Sequence, residues 1–369
     1  MKWKRCKKLA PAVAALVFLA SMAVLTQLKP QAVEVTPSLP EDTAATEGVD
    51  YKTVNLRAVV DVNHIVWLDE TLFSVIGSGS NDGVSYLWIY LGSQKTGQAQ
   101  LCDTLTLQED ESLNSALSLA DGRLALCTNQ RLVFFDVTGD GLRRQTTLSL
   151  LPILGDECSK IALHPSGERV AFISSQGLEV MDLTTRQCTL LAQPDEDAFL
   201  LDFCWMEDDF IAYRTIAQDG TTLCVLRPDG TEAWRGAAGL LAAAGSGHAA
   251  MESGDNASVV QIVDLASGAQ SAFSLAGQNL SALSLRGGLL AAVTLADDAT
   301  SYICSWDLQS GVFATHYAVT AEEGSLGDSF TLSQNGWAAV PLLSSSSNTR
   351  ILLVNCSTGR GPEKEPAQP

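Results

Sequence analysis

The chain has 369 residues, 46% of them hydrophobic, and a formal net charge of -19, enough apolar material for one large domain or two ordinary ones. Residues 1–29 hold six basic side chains and no acid, so the remainder carries 17 basic against 42 acidic residues. A body this acidic repels phosphate backbones and anionic lipid, which excludes nucleic acid as an expected partner.

Met1 to Lys8 is strongly basic, and Leu9 to Leu28 contains no charge. At ~1.5 Å per residue that run matches a bilayer core of about 30 Å. Two readings stay open. An uncleaved single-pass anchor would keep the basic flank cytoplasmic and place everything after Lys29 outside. A signal peptide cleaved near Ser21-Met22-Ala23 would give a secreted protein. Pro30 to Asp50 is rich in Pro, Thr, Ala and Glu without periodicity, which predicts a disordered tether.

From His64 onward one unit recurs: four short β signals separated by polar turns. Cys158 to Leu190 shows it most fully, with strands at Ile161-Ala162-Leu163, Arg169 to Ile173, Leu178 to Asp182 and Cys188 to Leu190. The first internal turn falls at Asp69-Glu70, Asp121-Gly122, Ser166-Gly167, Asp208-Asp209, Ser246-Gly247, Gly287-Gly288 and Asn335-Gly336. Third strands such as Val133 to Asp136, Ile262 to Asp264 and Cys304 to Asp307 supply a second register, which also gives seven units.

The seventh unit runs to Asn355 and lacks a fourth strand, while Thr53 to Val60 alternates with no sheet of its own. Pairing that segment beside Ile351 to Val354 closes a ring. The expected fold is therefore all-β: a seven-bladed propeller of four-stranded antiparallel blades over residues 52–358, closed by its N-terminal strand and preceded by one transmembrane helix. GRGPEKEPAQP at the C-terminus is expected to be a disordered tail. Six or eight blades are the alternatives, because the fifth unit is degenerate with an Ala-rich first strand.

Units reading apolar strand, His164-Pro165-Ser166-Gly167 turn, apolar strand, then a pair such as Trp306-Asp307 and a Ser-Gly turn resemble WD-repeat and bacterial TolB-like or YncE-like propellers. The resemblance covers about residues 52 to 358. It implies a rigid platform whose loops recruit proteins or ligands, and less often an enzyme.

Chemistry is sparse. The chain has no GxSxG, HExxH, Walker loop or Ser-x-x-Lys, so nucleophilic and phosphate chemistry are unsupported. His64, His164, His248 and His316 fall in different units and read as turn or surface residues. Asp136 to Gly141 resembles a calcium loop but lacks alternating acids and a terminal Glu. The Asp-x-x-Ser/Thr-Gly turns resemble those of quinoprotein propellers, yet no adjacent cysteine pair accompanies them. No catalytic residue, metal or cofactor is expected. The eight cysteines after residue 29 permit disulfides but read mostly as buried free thiols.

Charge placement is the sharpest functional signal. In a propeller, loops joining second to third strands share a rim with loops joining one blade to the next. That rim collects Asp82, Glu109-Asp110-Glu111, Asp195-Glu196-Asp197, Asp219, Asp255, Asp297-Asp298 and Glu322-Glu323. The opposite rim receives Lys95, Arg123, Arg169, Arg186, Arg227 and Arg286, and both chain ends should leave there. The expectation is an extracytoplasmic scaffold whose acidic rim binds a cationic protein segment or, alternatively, a cationic ligand. The competing expectations are a propeller enzyme linked to glycans or quinones, and a structural cell-envelope component. Loop acids that serve only solubility would give the same pattern.

Overall fold

The computed structural model describes residues 33–35, 50–58, 60–154, 158–195, 197–206, 209–239, 242–253, 256–275, 277–344 and 348–357. The uncharged run 9–28, residues 36–49 of the tether and the tail 359–369 lie outside them. Among the described residues no helix is long and apolar enough to cross a membrane.

Seven antiparallel sheets follow one another along the chain. Blade 1 comprises Asp61–Trp67, Leu72–Asn81, Val84–Ser93 and Gln98–Thr106, from the channel outward. Blade 2 comprises Leu113–Ser118, Leu124–Thr128, Arg131–Thr138 and Gly141–Ser149, and blade 3 comprises Ser159–Leu163, Arg169–Ser174, Gly177–Asp182 and Cys188–Ala192. Blade 4 is Phe199–Trp205, Ile211–Ala217, Gly220–Leu226 and Glu232–Ala237; blade 5 begins with Ala242–Gly245, His248–Ser253, Asn256–Asp264 and Gln270–Leu275. Blade 6 is Gln278–Arg286, Leu289–Ala296, Ser301–Asp307 and Phe313–Val319. Six of the seven first turns expected from the sequence join a first strand to a second; of the seventh, Asp208-Asp209, Asp208 lies outside the described residues.

The core consists of apolar layers between neighbouring blades. Leu87, Ile89, Leu124 and Phe135 fill the seam between blades 1 and 2, and Leu132, Ile161, Val170 and Met181 that between blades 2 and 3. A second strand is covered on both faces, which is why Leu124–Thr128 reads as an unbroken apolar run and is buried throughout.

Blade 7 closes the ring. Its second and third strands are Trp337–Leu343 and Arg350–Asn355, and its outer strand is Tyr51–Asn55, with Thr53 opposite Leu352 and Val54 opposite Ile351. The closing strand starts two residues earlier than the sequence pattern suggested and ends five earlier. Arg57 adopts φ 58° and donates its N–H to Asn55 Oδ1, turning the chain off the blade toward blade 1. Thr349 stitches this passage by bonding Leu56, Ala58 and Val60. The inner strand of blade 7 is split into Ser325–Leu326 and Thr331–Leu332 around Pro341 of the second strand. Proline cannot donate to that ladder; its carbonyl still accepts the Gly327 N–H at 2.9 Å, and the regular pairing resumes at Thr331.

Blade 5 carries a fifth strand. Val33–Val35, within the segment read as a tether, pairs parallel with Phe273–Leu275 on the blade's outer edge. Val35 packs against the core between blades 5 and 6.

The recurrent Asp-x-x-Ser/Thr motif is structural. Asp182 Oδ1 accepts from the N–H groups of Thr184 and Thr185, Asp264 Oδ1 from Ala266 and Ser267, and Asp307 Oδ1 from Gln309 and Ser310. Each aspartate thus closes the turn between third and fourth strands, and these bonds hold the carboxyls of Asp182 and Asp264 below the ordinary range. Asp136–Gly141 is a tight hairpin in which Thr138 Oγ1 donates to the Gly141 carbonyl at 2.9 Å.

Candidate functional site

Two rims could carry function. On the rim formed by turns between second and third strands and by the blade-to-blade loops, Asp82, Glu109, Asp110, Asp195, Asp197, Asp219, Asp297, Asp298, Glu322 and Glu323 are all exposed. Glu196 and Asp255 lie outside the described residues.

Glu111 departs from that pattern and is buried. Asp110, at φ 58°, turns the chain so that Glu111 points inward. Its Oε1 accepts from Thr128 Oγ1 at 2.7 Å and Arg131 Nε at 2.8 Å, and its Oε2 from the Gln108 N–H at 2.8 Å. Glu111 therefore fastens the entrance to blade 2 and is withdrawn from the rim surface. Two other acids serve their own loops while remaining exposed. Glu323 Oε2 accepts from Thr320 N–H and Oγ1, and Asp298 Oδ1 accepts from the Thr300 N–H, each at 3.0 Å.

Apolar side chains gather on the same rim. Val84, Leu151, Phe199, Ile216, Leu295 and Leu343 are more than a third exposed, and all six lie at its strand ends or loops. Phe199 is 73% exposed and stands opposite Ile216 in the blade 4 ladder.

The other rim carries the mouth of the central channel, a cavity of about 510 Å³ lined by residues from all seven blades. Its polar corner lies between blades 3 and 4. His164 Nδ1 accepts the Ser166 N–H at 3.1 Å, leaving the proton on Nε2, 2.8 Å from Asp209 Oδ1. Arg169 donates to Asp209 Oδ2 at 2.8 Å and stands 5.5 Å from the Trp205 ring centroid. Burial, reinforced by the Arg169 charge, lowers the His164 pKa. Asp209 is the one carboxylate among the described residues lining the channel mouth. The His-Pro-Ser-Gly turn was legible in the sequence and this inter-blade link was not, because nothing local pairs His164 with a residue 45 positions later.

His316 is buried in blade 6, its Nε2 2.7 Å from Ser305 Oγ, and burial lowers its pKa to about 4. His64 is lowered by burial as well. Among the described residues no three His, Cys, Asp or Glu side chains converge as metal ligands. The eight described cysteines are unbridged: Cys127, Cys224, Cys304 and Cys356 are buried, Cys102 and Cys158 partly so, and Cys188 and Cys204 exposed. Burial pushes the Cys127 and Cys304 thiols up to about 12.

No family model matches the chain, and no curated protein matches it. Among solved structures, a chain of a mitotic checkpoint complex is similar at 14% identity, with 88% of this chain and 97% of that one covered and a TM-score of 0.55. The Dos1 propeller is similar at 10% identity, covering 84% of this chain and 95% of that one, with a TM-score of 0.53. At such identities the likeness concerns architecture alone. Together with the seven closed sheets, it identifies the chain as a seven-bladed β-propeller.

Proposed function

We propose that this chain is a membrane-anchored, extracytoplasmic binding module of the WD-repeat or TolB-like kind, which recruits a cationic protein segment on its acidic rim. The observation that carries the proposal is the separation of the rims. The closing strand starts at Tyr51 opposite Val354, so the ring closes on the channel-mouth rim and the acidic loops of the other rim stay exposed. Acids around an apolar surface attract cations from a distance and hold apolar groups on contact.

The uncharged run 9–28 with its basic flank supports the anchor.

The test is affinity capture from detergent-solubilised membranes, with mass spectrometry of the retained proteins. A variant carrying Glu109→Lys, Asp110→Lys, Asp195→Lys and Asp197→Lys leaves buried Glu111 in place. Basic partners retained by the native protein, lost on the variant and released by salt are the expected result. Equal, salt-insensitive retention refutes the reading.

A further inference from the structure

The acidic rim has one place where a partner's side chain could seat. The face of blade 4 turned toward blade 5 presents three ladder pairs in order from the rim inward: Phe199 with Ile216, Asp202 with Arg214, and Cys204 with Ala212. A bulge at Leu201 keeps Phe199 in step with the other two. The first strand of blade 5 is only Ala242–Gly245, against seven residues in blade 4 and nine in blade 6. Its alanines leave a cavity of about 100 Å³ against Asp202, Cys204, Ala212 and Arg214. One ladder step nearer the rim, Phe199 and Ile216 remain 73% and 40% exposed.

The polar groups of this cleft are incompletely matched. Arg214 Nε donates to Asp202 Oδ1 at 2.8 Å, while Arg214 Nη1 is buried with no hydrogen-bond partner among the described residues. Around the mouth, Asp195 and Asp197 precede Phe199 directly and Asp219 occupies the turn after Ile216, all three exposed. Cleft and acids together describe a complementary segment: an aliphatic side chain with flanking cations.

We infer that the cleft between blades 4 and 5 is a docking site for an extended basic peptide segment, anchored by one branched aliphatic side chain. This rests on the acidic-rim reading and places it in a single cleft. The cavity is smaller than the ~150 Å³ that admits a benzene ring, so it selects Leu, Ile, Val or Met over Phe, Tyr or Trp. The anchor fills the space above Ala242 to Ala244, with Phe199 and Ile216 on its rim side. Lysine or arginine on either side meets Asp195, Asp197 and Asp219. Burial of the aliphatic group holds the complex, and the acids set the rate and salt dependence of its formation.

Selection of a random 12-residue phage-displayed peptide library on the intact propeller tests this, followed by fluorescence anisotropy with the most enriched peptide. Sequences pairing Lys or Arg with one branched aliphatic residue are expected. Phe199→Ser and Ala242→Leu, both at exposed positions, should each raise the Kd at least 10-fold. Leu295→Ser, on the same rim in blade 6, should stay within twofold. Failure to enrich such sequences, or equal binding by Phe199→Ser and Ala242→Leu, overturns the inference. If Asp195→Lys with Asp197→Lys abolishes binding while those two variants bind normally, the rim reading survives and the cleft does not. If no variant weakens binding, both fall.

Discussion

The backbone N–H of Asn355 donates to the carbonyl of Asp50 at 2.9 Å, joining the last strand of the ring to the residue just before its closing strand. The ring therefore closes on the rim that carries the channel mouth, and the other rim carries exposed acids and apolar groups. Closure without a covalent bond depends on the Tyr51–Asn55 strand, whose Val54 is fully buried in the seam between blades 7 and 1. Val54→Ala should cost about 2 kcal/mol through lost burial and the cavity left behind. The shift of the urea midpoint measures it.

Glu111 and Glu109 should respond very differently to truncation. Glu111→Ala leaves Arg131 partly buried without its carboxylate and should destabilise by about 3 kcal/mol, whereas Glu109→Ala on the exposed rim should stay within about 0.5 kcal/mol. Chemical denaturation of the two variants side by side checks the inward turn at Asp110.

Arg186 stands at φ 60°, in the turn position that Gly268 and Gly311 occupy at φ 70° and 69°. A β-carbon there is strained, so Arg186→Gly should stabilise the fold by about 1 kcal/mol and raise the melting temperature. A lower melting temperature would show that the arginine side chain makes a compensating contact.

His316 makes stability depend on pH. Its folded pKa of about 4 lies below the unfolded value near 6.5, so the unfolded chain takes up the proton first. The stability contribution is complete above about pH 6.5 and is lost as pH falls toward 4, reaching about 3 kcal/mol. His316→Leu should remove that part of the pH slope between those limits in urea titrations.

The arrangement of strands was legible because a blade needs a polar turn after each inner strand, and pairs such as Gly287-Gly288 and Asn335-Gly336 mark those turns at a regular period. The count of seven and the closing segment followed from that period. Features depending on contacts between distant segments were not legible. Val33–Val35 lacks any local strand signal, and its pairing is visible only once the edge of Gln270–Leu275 is in place. Glu111 looked like its neighbours because its inward turn depends on Arg131, twenty residues on. The exposure of Phe199 depends on the shortness of the first strand of blade 5, which the alanine run signalled only as irregularity.

The central claim is that the acidic rim recognises a cationic segment. Its most direct test is the affinity of the selected peptide for the native propeller, measured from 50 to 500 mM salt beside the four-lysine rim variant. The account predicts affinity that falls steeply with salt for the native protein and is weak at every salt concentration for the variant. Equal, salt-independent affinity for both proteins would contradict it.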